Sequence, residues 1–467
     1  MADISTPIKA YSCMVEDWDL IDALMGGTKA MRAAGEARLP RWPNEDIDAY
    51  RCRLKVATLL PALEETIKGM NGRVFADETT LSADTPDDIK TYAENFDLAG
   101  NNLDVWAQQF FNKAMERGLC HALVDYPRVE GINSVAQEKA SGARPYAIIV
   151  DPRQLIGWKS ARTAKGETLT EIRIMECVTV PDGDWGEKDV LQIRLLRPYY
   201  CALYQKQQDA NNQAVWALTD EWTTTMDTIP LVTLYTKRTG FMTASPPLLN
   251  LAHMNVKHWQ SQSDQDTILH VARVPILSVF GLKEGQELTL GASVAMEFSD
   301  RSKQGVEYTE HTGASIEAGQ ASLDDLVEQM RMAGAKLLRQ ENTSTKSVDQ
   351  VGQETMQEDS PLYTMANSLE DAIDNVLQFM ADWRGMPDGG NVEIHTELDT
   401  ASLAIDAPGV VALISAYQAG AIRKVDLVRA LQSLGLIDAD ANVDEVIAEL
   451  AASVPGMGAY THDPVTA

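Results

Sequence analysis

The residues best spaced for chemistry are Asp438, Asp440, Asn442, Asp444 and Glu449, which fall at positions 1, 3, 5, 7 and 12 of a calcium-binding loop. Such a loop needs glycine at its sixth position for a sharp turn, and Val443 stands there. Asn442 followed by Asp444 and Glu445 reads better as the capped, acid-rich start of a helix. His253 and His258 are five residues apart, so on one helix they face different sides and cannot share a metal. The five cysteines, Cys13, Cys52, Cys120, Cys177 and Cys201, form no C-x-x-C pair and read as reduced, mostly buried thiols. Val410 to Gly435 has the outline of a helix-turn-helix, but its second helix offers only Lys424, Arg429 and Gln432 to DNA, with Asp426 among them. Packing is the better reading.

The phosphate-cradling, zincin, serine-hydrolase and dinucleotide-binding fingerprints are all missing from the sequence. Pairs of carboxylates for hydrolysis can be drawn almost anywhere among 68 acidic residues, so such a pair carries no weight, and an acidic hydrolase is left as a distant alternative. The chain is expected not to be an enzyme, with no catalytic residue, cofactor or metal ligand assigned. Its 40 Lys and Arg against 68 Asp and Glu give a net charge of −28, the reverse of a protein that grips duplex DNA with clustered cations. If it meets DNA, it does so without holding it.

The elements that would position any site fall into three stretches. At 467 residues, 45% hydrophobic, the chain can form two to four packed modules. It has no long apolar run and no signal-like N-terminus, so a soluble protein, cytoplasmic when made and without a membrane partner, is expected. To about Phe75 the periodicity predicts helices: a short one over Asp17–Met25 and a long one over Glu45–Asn71, capped by Asn44 and bent at Pro61. Leu103–Arg117 is another, closed by Gly118.

From Cys120 the period shortens to that of strands: Cys120–Tyr126, Tyr146–Val150, Thr168–Val178, Val190–Leu196, Tyr199–Gln205, Val215–Thr219 and Pro230–Tyr235. This is an α+β body with an antiparallel meander. After Pro246-Pro247 a polar stretch to Arg273 predicts a helix of roughly 40 Å with only a thin apolar line of Val256, Trp259, Ile268 and Leu269. Such a helix is expected to line water or pack against copies of itself rather than enter its own core. Strands follow at Pro275–Gly281, Ala292–Phe298 and Gly305–His311, then a helix over Leu323–Arg339 and a Ser/Thr-rich loop over Gln340–Val351. A long helix is expected over Gln353–Trp383, with small helices at Pro408–Gln418, Lys424–Leu434 and Asn442–Ala452.

Arg38-Leu39-Pro40, Tyr50-Arg51-x-Arg53-Leu54, Gly72-Arg73-Val74-Phe75, Val124-Asp125-Tyr126-Pro127, Arg144-Pro145-Tyr146, Ile156-x-Trp158, Ile229-Pro230, Pro246-Pro247-Leu248-x-x-Leu251-Ala252-x-x-Asn255 and Ser263-Asp264 occur in this order. In them the chain resembles the portal proteins of tailed bacteriophages, in the group labelled DUF4055, from about residue 10 to 450. The resemblance implies an α+β portal fold with wing, helical stem, strand-containing clip and small helical crown. It implies a homo-oligomeric ring of about twelve subunits at the capsid vertex of the virion, assembled in the host cytoplasm. The implied partition is wing over 1–244, first stem helix over 245–273, clip over 274–320, second stem helix over 321–339, tunnel loop over 340–352, long wing helix and further wing strands over 353–405, and crown and tail over 406–467.

The implied partners are terminase, whose large subunit drives packaging, a head-tail adaptor, the major capsid protein, and the double-stranded DNA that is packaged and later ejected. Lys336, Arg339, Asn342 and Lys346 lie where the second stem helix meets the loop, and are the candidates to touch DNA in the tunnel. Another head-tail connector or adaptor ring is the nearer alternative, though it would be expected to be much shorter.

Overall fold

The computed structural model describes residues 3–128, 142–164, 166–208, 214–273, 276–280, 305–309, 314–335, 361–394, 413, 415, 417 and 422–433. The chain divides into two units, one of Met1–Gly72, Thr79–Thr345 and Asp359–Ile394, the other of Arg73–Glu78, Lys346–Glu358 and His395–Ala467. In the second unit one helix is described beyond a few scattered positions, α10 (Lys424–Ser433), with Val428 buried. Everything below concerns the first unit.

Its N-terminal part is helical: α1 (Lys9–Met25), α2 (Gly27–Ala34), α3 (Ile47–Val56) and α4 (Ala62–Val74). Helix α1 starts eight residues before the expected Asp17. The single helix expected over Glu45–Asn71 is two. Pro61 lacks an N–H and disfavours helical backbone at Leu60, so the chain breaks between Val56 and Ala62 instead of bending. The cap is Asp46, whose carboxylate accepts from the N–H groups of Asp48 (2.9 Å) and Ala49 (3.2 Å). Asn44, the expected cap, instead takes a left-handed conformation at φ 64° that asparagine tolerates well.

After β1 (Thr80–Leu81) and α5 (Asp87–Ala93) comes α6 (Leu103–Arg117), whose bounds match expectation. Asn102 caps it, accepting from Val105 N at 3.0 Å, and Gly118 ends it at φ 87°. A Cβ at Gly118 would run into the backbone of Ser245, so only glycine lets these two segments meet.

Strands β2 (Leu119–Asp125), β3 (Tyr146–Val150) and β9 (Leu231–Tyr235) form one antiparallel sheet in the order β3-β2-β9. Strands β4 (Leu155–Thr163), β5 (Gly166–Asp182), β6 (Gly186–Arg197), β7 (Tyr200–Gln208) and β8 (Ala214–Thr223) form a meander, each pairing with the next; β5 to β8 were expected and β4 was not. Leu123 and Val150 of the first sheet and Leu155, Ile172 and Ile174 of the second share one apolar core.

Two short strands, β10 (Arg238–Gly240) and β11 (Thr243–Ala244), lead to α7 (Leu249–Ala272). Then come the antiparallel pair β12 (Ile276–Phe280) and β13 (Gly305–Thr309), and α8 (Ala314–Ala335). The second of these helices thus begins nine residues before the expected Leu323. Helix α9 is described over Pro361–Arg384, and the part of the expected helix before Pro361, from Gln353, lies outside the described residues. Leu362, Met365, Leu369, Ile373, Val376, Leu377 and Met380 make its buried stripe, and α9 packs on β2 and β9. A final strand, β14 (Val392–Glu393), pairs with β1.

Candidate functional site

The helix pair α7 and α8 is the element to which the sequence reading gives a role, and its geometry can be built residue by residue. Gln265, near the end of α7, donates its amide to the carbonyl of Ile316 in the first turn of α8 at 2.8 Å. Leu251, near the start of α7, lies beside Gly334 at the far end of α8. The two helices are therefore antiparallel. Gly319 lets them close, since a Cβ there would collide with the Gln265 amide, and Gly334 lets α8 approach α4, since a Cβ there would sit 3.0 Å from the Thr66 methyl. Leu323, Leu326 and Met330 supply the buried stripe of α8.

Helix α7 departs from its expectation. One face is buried within the subunit, and much of that face is polar: Asn255 is 0% exposed, Ser263 2% and Gln265 4%. Asn255, Ser263 and Gln265 each find a backbone or charged partner, which is what makes their burial tolerable. Asn255 donates to the Leu60 carbonyl (2.9 Å) and accepts from Leu63 N (3.2 Å), so it satisfies an otherwise orphaned N–H in the first turn of α4. Gln260 donates to the Arg38 carbonyl at 2.9 Å. His258 is buried too, and burial lowers its pKa, keeping the ring neutral. His253 lies on the exposed side, so the two histidines do face apart.

Arg53 closes the brace. Its guanidinium makes a two-pronged contact with Glu45 at 2.8 Å per prong, donates to the Pro40 carbonyl at 2.9 Å, and lies 4.2 Å over the Trp42 ring. It also reaches Ser263 Oγ (3.5 Å) and Asp264 (3.8 Å) on α7. The hydrogen bonds from Arg53 hold the Glu45 carboxyl below the usual range, whereas burial raises that of Asp264 against the pull of Arg53. The strings Arg38-Leu39-Pro40, Tyr50-Arg51-x-Arg53 and Ser263-Asp264, separate in sequence, meet here.

A second meeting of such strings lies under α9. The Trp383 indole donates to the Val124 carbonyl (3.3 Å) and stacks on Tyr126 at 5.6 Å, whose hydroxyl donates to the Ala143 carbonyl at 3.0 Å. Arg53, Asn255, Gln265 and Trp383 are residues to which the sequence reading gave no individual role. For Arg53, Asn255 and Gln265 the signal was membership of, or closeness to, those strings; Trp383 had none.

The four DNA candidates, Lys336, Arg339, Asn342 and Lys346, lie outside the described residues, as does the calcium-like loop from Asp438; of Val410–Gly435 the described part is residues 413, 415, 417 and 422–433. Cys13, Cys52 and Cys177 are exposed and Cys120 and Cys201 buried, all of them free thiols, so the cysteines are not mostly buried. Burial pushes the Cys201 thiol up to about 12, which leaves it unreactive at neutral pH. Among the described residues no cluster of three or more His, Cys, Asp or Glu could hold a metal, and no helix is long and apolar enough to cross a membrane. The outward face of α8 carries Glu317, Asp324, Asp325 and Glu328 against the single cation Arg331.

Residues 247–384, which run from the start of α7 to the end of α9, match the family model described as "Domain of unknown function (DUF4055)". The braced helix pair, the β12–β13 hairpin and α9 are all parts of that DUF4055 region, with α1 to α6 and the two sheets preceding it. No curated protein matches the chain.

Three solved structures contain chains of partial similarity. One is a virion of a native gene transfer agent particle, with TM-score 0.43 and 11% identity, covering 87% of this chain and 98% of that one. Another is the neck of an empty gene transfer agent particle computed with C6 symmetry, with TM-score 0.44 and 11% identity, covering 85% and 95%. A third is the neck of a native particle computed with C12 symmetry, with TM-score 0.41 and 10% identity, covering 91% and 98%. At these scores the likeness assigns no role.

Proposed function

We propose that the protein is the portal of a tailed phage or phage-like particle: a ring-shaped DNA channel at the capsid vertex, with no enzymatic activity of its own. The observation that carries this reading is the antiparallel pair α7 and α8 with the β12–β13 hairpin between them in sequence, held to the subunit through α7 and, at Gly334, through α8. Its outward side is polar, with His253, Lys257 and His270 exposed on α7 and four acids on α8.

A helix pair braced on one side and hydrophilic on the other suits a rod whose remaining face meets water or a sister copy. Repeating such a contact around a closing rotation gives a ring, here of about twelve subunits. Acids facing a duplex that bears about one negative charge per 1.7 Å repel it, so DNA passes without sticking. In this role terminase pushes DNA through, the clip meets terminase and then the head-tail adaptor, and the capsid protein surrounds the ring. Lys336, Arg339, Asn342 and Lys346 keep their place as candidates for steadying DNA.

Negative-stain images and mass photometry of the purified protein test this. Closed rings near twelve subunits are expected, with no retarded DNA band at physiological salt. A chain that stays monomeric at micromolar concentration overturns the reading.

A further inference from the structure

The β5–β6 hairpin ends in a side chain that has no place in its own subunit. Trp185 is 99% exposed at the turn, and residues 181–189 are exposed throughout. Scattered exposed apolar residues need no explanation. An indole held entirely in water at the tip of a long two-stranded arm is another matter, because it contributes nothing to the subunit's own core. Around it stand Asp182, Asp184, Glu187 and Asp189, with Lys188 the one cation of the tip.

The base of the same sheet has the opposite character. A cleft of about 290 Å³ is lined by Trp158, Lys159, Glu171, Arg173, Arg197 and Tyr204, with residues of the N-terminal segment closing it. Arg173 donates to the carbonyls of Ile4 (2.6 Å) and Thr6 (2.9 Å), and its guanidinium lies where a Cβ at residue 157 would be, so Gly157 is what makes room for it. Both partners are neutral, which leaves the charge of Arg173 uncompensated. Lys159 (2.9 Å) and Arg197 (2.5 Å) share one carboxylate, Glu171. In a chain of net charge −28 this cleft sets three cations against one acid.

We infer that the Trp185 tip of one copy docks into this cleft on a second copy. The indole packs against Trp158 and Tyr204, and the tip acids face Arg173, Arg197 and Lys159. A chain cannot fill its own cleft, because the 12 residues of β6 separate Trp185 from the Arg197 end by about 40 Å at roughly 3.3 Å per residue. Tip and cleft are different surfaces, so the contact is head-to-tail, the kind that closes rings. The inference rests on the ring reading above and names the contact between neighbours.

The test uses the full chain with the photocrosslinker benzoylphenylalanine at position 185, mixed as isotopically light and heavy copies. Light-to-heavy crosslinks joining position 185 to peptides containing Trp158 or Tyr204 are expected. Trp185→Ala should raise the concentration for half-assembly about 30-fold, the effect of deleting an interface anchor, with the subunit's thermal unfolding unchanged. If Trp185→Ala assembles like the wild type and crosslinks fall elsewhere, the contact is wrong while the ring reading stands. A wild-type chain that stays monomeric overturns both.

Discussion

Helix α7 and the distal half of the β5–β6 hairpin are opposites. The helix carries Asn255, Ser263 and Gln265 on a buried face, whereas the hairpin carries Val178, Trp185 and Leu191 in the open. The difference lies in partners rather than in hydropathy. Beside α7, the backbone at Arg38, Leu60, Leu63 and Ile316 presents carbonyls and an N–H group that polar side chains of the helix can bond. Beside the hairpin tip the described residues offer no covering surface, so even tryptophan stays wet.

If that contrast is right, variants in the buried polar set should be costly and variants at the tip nearly silent for subunit stability. The largest effect is expected from Arg53→Ala, which leaves the Glu45 carboxylate, 5% exposed at its side chain, without its cation. About 3 kcal/mol should be lost in urea unfolding, and a loss below about 1 kcal/mol would show that the brace is ornamental. Asn255→Leu should follow at about 2 kcal/mol, since it strands Leu63 N and leaves Leu60 O with the Ala62 N–H alone; amide exchange at Leu63 should speed up in parallel.

Next comes a pH effect in the sheet. His121 is wholly buried with its Nδ1 2.9 Å from Thr233 Oγ1, and burial lowers its pKa from 6.5 to about 3. The unfolded chain therefore binds the extra proton between those values. Stability from the neutral ring is complete above pH 6.5 and declines as the pH falls toward 3, by about 1.4 kcal/mol at pH 5.5. A His121→Gln variant should show a flatter stability profile over that range, and an unchanged slope would refute the assignment. The smallest effect is Trp185→Ala, within about 0.5 kcal/mol for the subunit; a larger drop in its melting curve would mean that the tip has a partner inside the chain after all.

Much of the scaffold was legible in the sequence because period and punctuation agree there. Helix α6 has Asn102 before it and Gly118 after it, and the meander strands alternate between turn residues, so type and order could be read directly. Boundaries failed where a competing local rule acted. Pro61 broke a helix that periodicity alone would continue. Burial of α7 was not legible, because hydropathy ranks Asn255 and Gln265 as surface residues and says nothing of the carbonyls that await them. The brace was visible only as disconnected strings, Arg38-Leu39-Pro40, Tyr50-Arg51-x-Arg53 and Ser263-Asp264, whose meeting is a property of the fold.

The spacing of the side chains that fasten α7 limits how that helix can move. Asn255, Gln260 and Gln265 sit five residues apart, spreading three side-chain-to-backbone bonds over about 15 Å of helix and tying them to three different segments. Such a helix resembles a keyed shaft. It can pass a push along its length toward the β12–β13 end, but it cannot spin about its own axis without undoing all three fastenings together.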